Sequence, residues 1–155
     1  MTESLLLNQP LPDLKVQTPE GATVSITGVL DYQLTLLSFL HGTWCPECVS
    51  QFRSLQQYRS EITTAGAKIV VVTQDTLGPL TAFLLSSRPP LEYVVLADPD
   101  NSVHGTLGVG QDTLDIIVDR RGIVRWTKQW TDHRDHPGYQ SMVQILREIE
   151  KQSRP

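Results

Sequence analysis

The chain is 155 residues long, carries 13 basic against 17 acidic side chains, and is 39% hydrophobic and 19% charged. That length suits one globular domain over residues 1–155, with enough apolar sequence for a proper core. A net charge of −4 argues against a nucleic acid partner, which needs a basic face, and no apolar run approaches the ~20 residues that cross a bilayer.

In chain order, the first thirty residues are Pro-rich, with Leu5-Leu6-Leu7 too short, and lacking the basic residues before it, for a signal-peptide core. The cytoplasm is therefore the expected location. Residues 15–17 and 22–26 flank the Thr18-Pro-Glu-Gly21 turn and read as a hairpin, with one helical turn over 27–31. Residues 34–40 are nearly continuous apolar sequence, as expected of a strand covered on both faces. Val49, Phe52, Leu55, Tyr58 and Ile62 then recur at helical spacing up to Gly66.

A second buried strand is expected over 68–73, a helix over 77–87 stopped by Arg88-Pro-Pro90, and a third strand over 93–97. The turn Asp98-Pro-Asp-Asn101 leads into a short helix over 102–107. Arg120-Arg-Gly122 joins strands 114–119 and 123–128 as a hairpin. Met142, Ile145, Leu146 and Ile149 mark a closing helix. The fold class is α/β, a mixed sheet sandwiched by helices, and ligand sites of such sheets lie at the carboxyl ends of parallel strands.

At one such end stands Phe39-Leu-His-Gly-Thr-Trp-Cys-Pro-Glu-Cys48, holding the only two cysteines of the chain, Cys45 and Cys48. Cys-x-x-Cys at a strand-to-helix junction reads as a dithiol/disulfide couple. Two thiols in the first turn of a helix close a small disulfide ring with little backbone movement. They also face unpaired N–H groups and the positive end of the helix dipole. Such a thiol can fall from ~8.5 into the range of roughly 3.5–7.5. Pro46 suits a helix start, and Glu47 favours the dipole while opposing a neighbouring thiolate.

Trp44-Cys-Pro-Glu-Cys48 after an apolar strand resembles the thioredoxin superfamily, and the longer N-terminal segment and added helices are similar to its peroxiredoxin-like branch. Leu96-Ala-Asp-Pro-Asp100 and Ile116-Ile-Val-Asp-Arg-Arg-Gly-Ile-Val124 resemble later segments of that branch. The resemblance implies a thioredoxin-like fold and a thiol–disulfide oxidoreductase or thiol peroxidase with antioxidant activity. It implies two role assignments. Read as thioredoxin, Cys45 attacks and Cys48 resolves. Read as peroxiredoxin, Cys48 takes the peroxide-reducing position, Cys45 replaces the family threonine and His41 its proline. Thr113 stands near the thioredoxin cis-proline and Gln51 where many members carry glutamate.

No metal or organic cofactor is expected. The partners implied are a disulfide or peroxide substrate and a dithiol reductant of thioredoxin or glutaredoxin type, with the chain a monomer or homodimer. The alternative is a non-enzymatic binding module for a protein, or for zinc held by the cysteines with His133 and His136. Residues 132–136 otherwise read as a solvated polar loop, His41 and His104 as bystanders, and Trp126 and Trp130 as packing residues. His41, four residues before Cys45, is the candidate for assisting proton transfer. An arginine supporting a thiolate, as in peroxiredoxins, requires Arg121 or Arg125 near the cysteines.

Overall fold

The computed structural model describes residues 6–110, 112–132 and 136–153. β1 (Lys15–Gln17) and β2 (Thr23–Ser25) form the expected hairpin, with Val16 opposite Val24. A short helix α1 (Ile26–Leu30) follows, capped by Ser25, whose Oγ accepts from the Gly28 N–H. β3 (Thr35–Leu40) is buried at all six positions.

The chain continues through α2 (Pro46–Gln57), α3 (Arg59–Thr64), β4 (Lys68–Thr73), α4 (Leu77–Ser86), β5 (Val94–Ala97) and α5 (Ser102–Thr106). The hairpin of β6 (Thr113–Val118) and β7 (Val124–Trp130) and the helix α6 (Tyr139–Ser153) close it.

The seven strands lie in the order β2-β1-β5-β4-β3-β6-β7. β3, β4 and β5 are mutually parallel, β6 runs antiparallel to β3, and β1 meets β5 antiparallel through Gln17 and Ala97. Side chains alternate across a strand, so β3 feeds two apolar layers. Leu36 and Leu40 pack with Phe52, Leu55, Leu80 and Met142 on one face, and Leu37 and Phe39 with Ile26, Val72 and Ile116 on the other. This double coverage is why residues 34–40 read as continuous apolar sequence.

Two expectations change. The helical run from Val49 to Ile62 is broken at Tyr58, whose φ of −93° and ψ of 3° leave the helix between α2 and α3. Gly or Pro does not cause the break. The Tyr58 ring meets Tyr139 of α6 (centroids 6.1 Å apart), and packing overrides propensity. The polar segment 132–136 is not wholly a solvated loop, because His136 packs edge-on against Trp130 and beside Tyr139. Its Nε2 lies 3.4 Å from the buried Asp115. Trp130 is 4% exposed, a packing residue as expected.

Candidate active site

β3 delivers the chain at Leu40 into the loop 41–45, and α2 takes it up at Pro46 in its first turn. Cys45 is the N-cap of α2, in extended backbone (φ −92°, ψ 118°), and its side chain makes no capping hydrogen bond. Its carbonyl accepts from Val49 N–H (3.0 Å), and its own N–H donates to Gly42 O (3.3 Å). Cys48 follows within the first turn, so the two sulfurs share one helix mouth.

The loop is held from the neighbouring strand. Gln74, just past β4, donates its N–H to His41 O (3.1 Å). Asp75 accepts from Thr43 N (2.9 Å) and Thr43 Oγ1 (3.1 Å) through its two oxygens. Gly42 is required by crowding. A Cβ there would lie 2.6 Å from Trp44 Nε1 and 2.8 Å from Asp75 Oδ1. The Trp44 ring stacks over His41 (6.1 Å, 11°) and is 69% exposed beside the sulfurs.

Both thiols are free and buried, Cys45 at 8% and Cys48 at 2% exposure. Burial pushes the Cys48 thiol up to about 12; hydrogen bonds from the Gly42 and His41 backbone oppose this but do not overcome it, and contact with the Cys45 thiol adds to the rise. The lowering expected for a thiol at a helix start is therefore not seen at Cys48, whose thiol is raised instead. Desolvation also lowers His41, and the charge of His104 lowers it further.

His104 is no bystander. Its Nδ1 lies 2.7 Å from Asp98 Oδ2 and its Nε2 3.1 Å from Leu40 O, the last residue of β3. Both ring nitrogens thus face acceptors, so the ring bridges Asp98 and the end of β3. Asp98 also accepts from the N–H groups of Val103 and His104, so it caps α5 while anchoring the entry to the site loop. Asp75 and the role of His104 at the site were not legible in the sequence, because Thr43 and Leu40 lie 32 and 64 residues away. Only the run of Asp at strand ends hinted at them.

His41 joins the cysteines: one ring nitrogen of His41 and the two sulfurs lie within 4.8 Å of one another. His136 packs against Trp130 and Tyr139, and His133 lies outside the described residues. Thr113 is buried at the start of β6, and Gln51 is buried with its Oε1 lacking a hydrogen-bond partner. Arg121 and Arg125 lie at the opposite end of the sheet. Both pair with Asp119 beyond Val118, which stands across from Thr35 at the start of β3.

A thioredoxin-like α/β fold presenting a Cys-x-x-Cys pair at the mouth of a helix defines the class of this protein. The chain belongs to the AhpC/TSA family, whose model matches residues 7–127. Among solved structures, peroxiredoxin 6 of Arenicola marina superposes with a TM-score of 0.82 at 9% identity, covering 96% of this chain and 74% of that one. A putative thiol:disulfide interchange protein DsbE from Chlorobium tepidum gives 0.72 at 22%, covering 90% and 97%. Peroxidoxin BcpB from Mycobacterium tuberculosis gives 0.77 at 17%, covering 92% and 97%. A benzoate–CoA ligase of Thauera aromatica is 27% identical over 105 residues, which are 68% of this chain but 18% of the ligase. Family membership and the cysteine pair together support a thiol-based redox function. Among the described residues no helix is long and apolar enough to cross a membrane.

Proposed function

We propose that the protein is a thiol–disulfide oxidoreductase in which Cys45 attacks and Cys48 resolves. The observation that carries this reading is a pair of free thiols one helical turn apart, with Cys45 at the N-cap beneath the exposed Trp44 and Cys48 one turn deeper. The Cys45 thiolate displaces one sulfur of a substrate disulfide and forms a mixed disulfide. Cys48, losing its proton, then attacks Cys45 Sγ, closes the Cys45–Cys48 disulfide and expels the second substrate thiol. An external dithiol of thioredoxin or glutaredoxin type supplies two electrons and returns the pair to its free form.

Peroxide is the second substrate class, in keeping with the AhpC/TSA family. There, with the roles the resemblance to peroxiredoxins implies, the Cys48 thiolate takes one oxygen, the alcohol or water leaves, and Cys45 condenses with the sulfenic acid to release water. The site supports disulfides better. Cys45 replaces the hydroxyl that orients peroxide in the family pattern, and Arg121 and Arg125 lie at the far end of the sheet.

The test is to react the reduced full chain, Cys45→Ser and Cys48→Ser with insulin and, separately, with hydrogen peroxide, and to weigh the products by mass spectrometry. The Cys48→Ser variant is expected to accumulate the mixed disulfide, and Cys45→Ser to be inert. Insulin reduction no faster than with free dithiol alone, or mixed disulfide in Cys45→Ser only, overturns the proposal.

A further inference from the structure

The site holds a feature that disulfide exchange does not use. His41 Nε2 is buried and has no hydrogen-bond partner. A buried imidazole nitrogen left unpaired carries a desolvation penalty and calls for a ligand. Gln74 N–H holds the His41 carbonyl, and the Trp44 ring lies parallel to the imidazole. Two thiols complete a triangle with it, all three donor atoms within 4.8 Å.

We propose that the reduced site binds one thiophilic metal ion, Zn²⁺ by chemical class, through Cys45 Sγ, Cys48 Sγ and a ring nitrogen of His41. Bonds of about 2.3 Å to sulfur and about 2.0–2.1 Å to imidazole place tetrahedral ligands a little under 4 Å apart, so a small contraction of side chains closes the triangle. Soft sulfur and borderline imidazole select zinc over calcium or magnesium, which take oxygen. Binding forms two Zn–S bonds and one Zn–N bond and releases the two thiol protons to buffer; no electrons move. Three protein ligands leave the fourth tetrahedral position for water or an incoming thiol.

The consequence deepens the proposed function and rests on the same cysteine pair: zinc holds the pair reduced and blocks its attack on substrate. Oxidation to the disulfide removes two of the three ligands, so metal and disulfide exclude each other.

The test titrates Zn²⁺ alone into the reduced full chain against a chromophoric chelator, and uses Co²⁺ to read thiolate-to-metal charge-transfer absorption. One Zn²⁺ per chain is expected, with the thiolate band present and alkylation of the pair slowed at least about tenfold. The oxidised wild-type chain, which needs no substitution and so escapes any folding defect, is expected to bind none. His41→Ala and His41→Gln are each expected to weaken binding at least about tenfold, the scale on which even outer-shell groups act.

Binding that survives oxidation, binding unchanged in both His41 variants, or no one-to-one binding overturns the inference. Disulfide cycling without zinc binding sinks it and leaves the redox reading standing. Zinc binding by a pair that never forms a disulfide does the reverse.

Discussion

Gly42 and the two sulfurs show how much a single position decides in this loop. A methyl group at Gly42 meets Trp44 and Asp75 at less than 3.0 Å, so either the indole leaves His41 or the carboxylate leaves Thr43. Gly42→Ala is expected to cost about 1–3 kcal/mol in denaturant unfolding and to change the Trp fluorescence. Gly78 in α4 is the counter-case, with nothing within 4 Å of its would-be Cβ. Gly78→Ala is expected to stabilise by about 0.5–1 kcal/mol, because only the entropy of a helical glycine is removed.

At the sulfurs, burial pushes the Cys48 thiol up to about 12, so it stays protonated at neutral pH. Iodoacetamide is therefore expected to leave Cys48 of the folded Cys45→Ser variant unlabelled while the urea-unfolded variant reacts, as intact mass reads out. Rapid labelling of the folded variant counts against the account of Cys48.

Among elements, the junction of β3, α5 and the site loop depends on one buried pair. Asp98 and His104 are each 1% exposed, and together they tie the α5 N-terminus to Leu40. Burial alone raises a carboxyl group, but the His104 ring and the N–H groups of His104 and Val103 outweigh it and hold Asp98 below its ordinary 3.8. A group lowered on folding stabilises the fold above its unfolded value, and that contribution disappears as pH falls through the folded one.

The urea midpoint is therefore expected to hold from about pH 7 to about pH 5 and to drop below about pH 4, with a shallower drop in Asp98→Asn. Asp98→Ala, which leaves the imidazole and two N–H groups without their acceptor, is expected to cost about 3–5 kcal/mol. The turn chemistry of residues 98–101 was legible in the sequence. The role of His104 was not, since Leu40 lies 64 residues away.

For the whole molecule, stability and site geometry come from the same two apolar layers. α6 closes the layer over the cysteine face, with Met142 and Leu146 fully buried beside Phe52 and Leu55. Leu146→Ala is expected to cost about 2–5 kcal/mol in denaturant unfolding, with the spread set by how far the layer collapses into the void. The helix itself was plain from its spacing of apolar residues. Its docking over the cysteine layer, and the break at Tyr58 that faces it, depend on contacts between segments some eighty residues apart, as Tyr58 with Tyr139 shows.

Taken alone, the order of residues was enough for the strand and helix types, the α/β class and the cysteine pair at a strand-to-helix junction. Hydrophobic period, turn residues and Cys spacing are local, and each acts within a few residues of itself. Tertiary structure alone decided which thiol is the deeper, where the arginines went and which histidine meets the sulfurs. Burial and charge depend on neighbours brought in by other strands. At Cys48 the desolvation imposed by that packing outweighs the backbone hydrogen bonds that favour the thiolate.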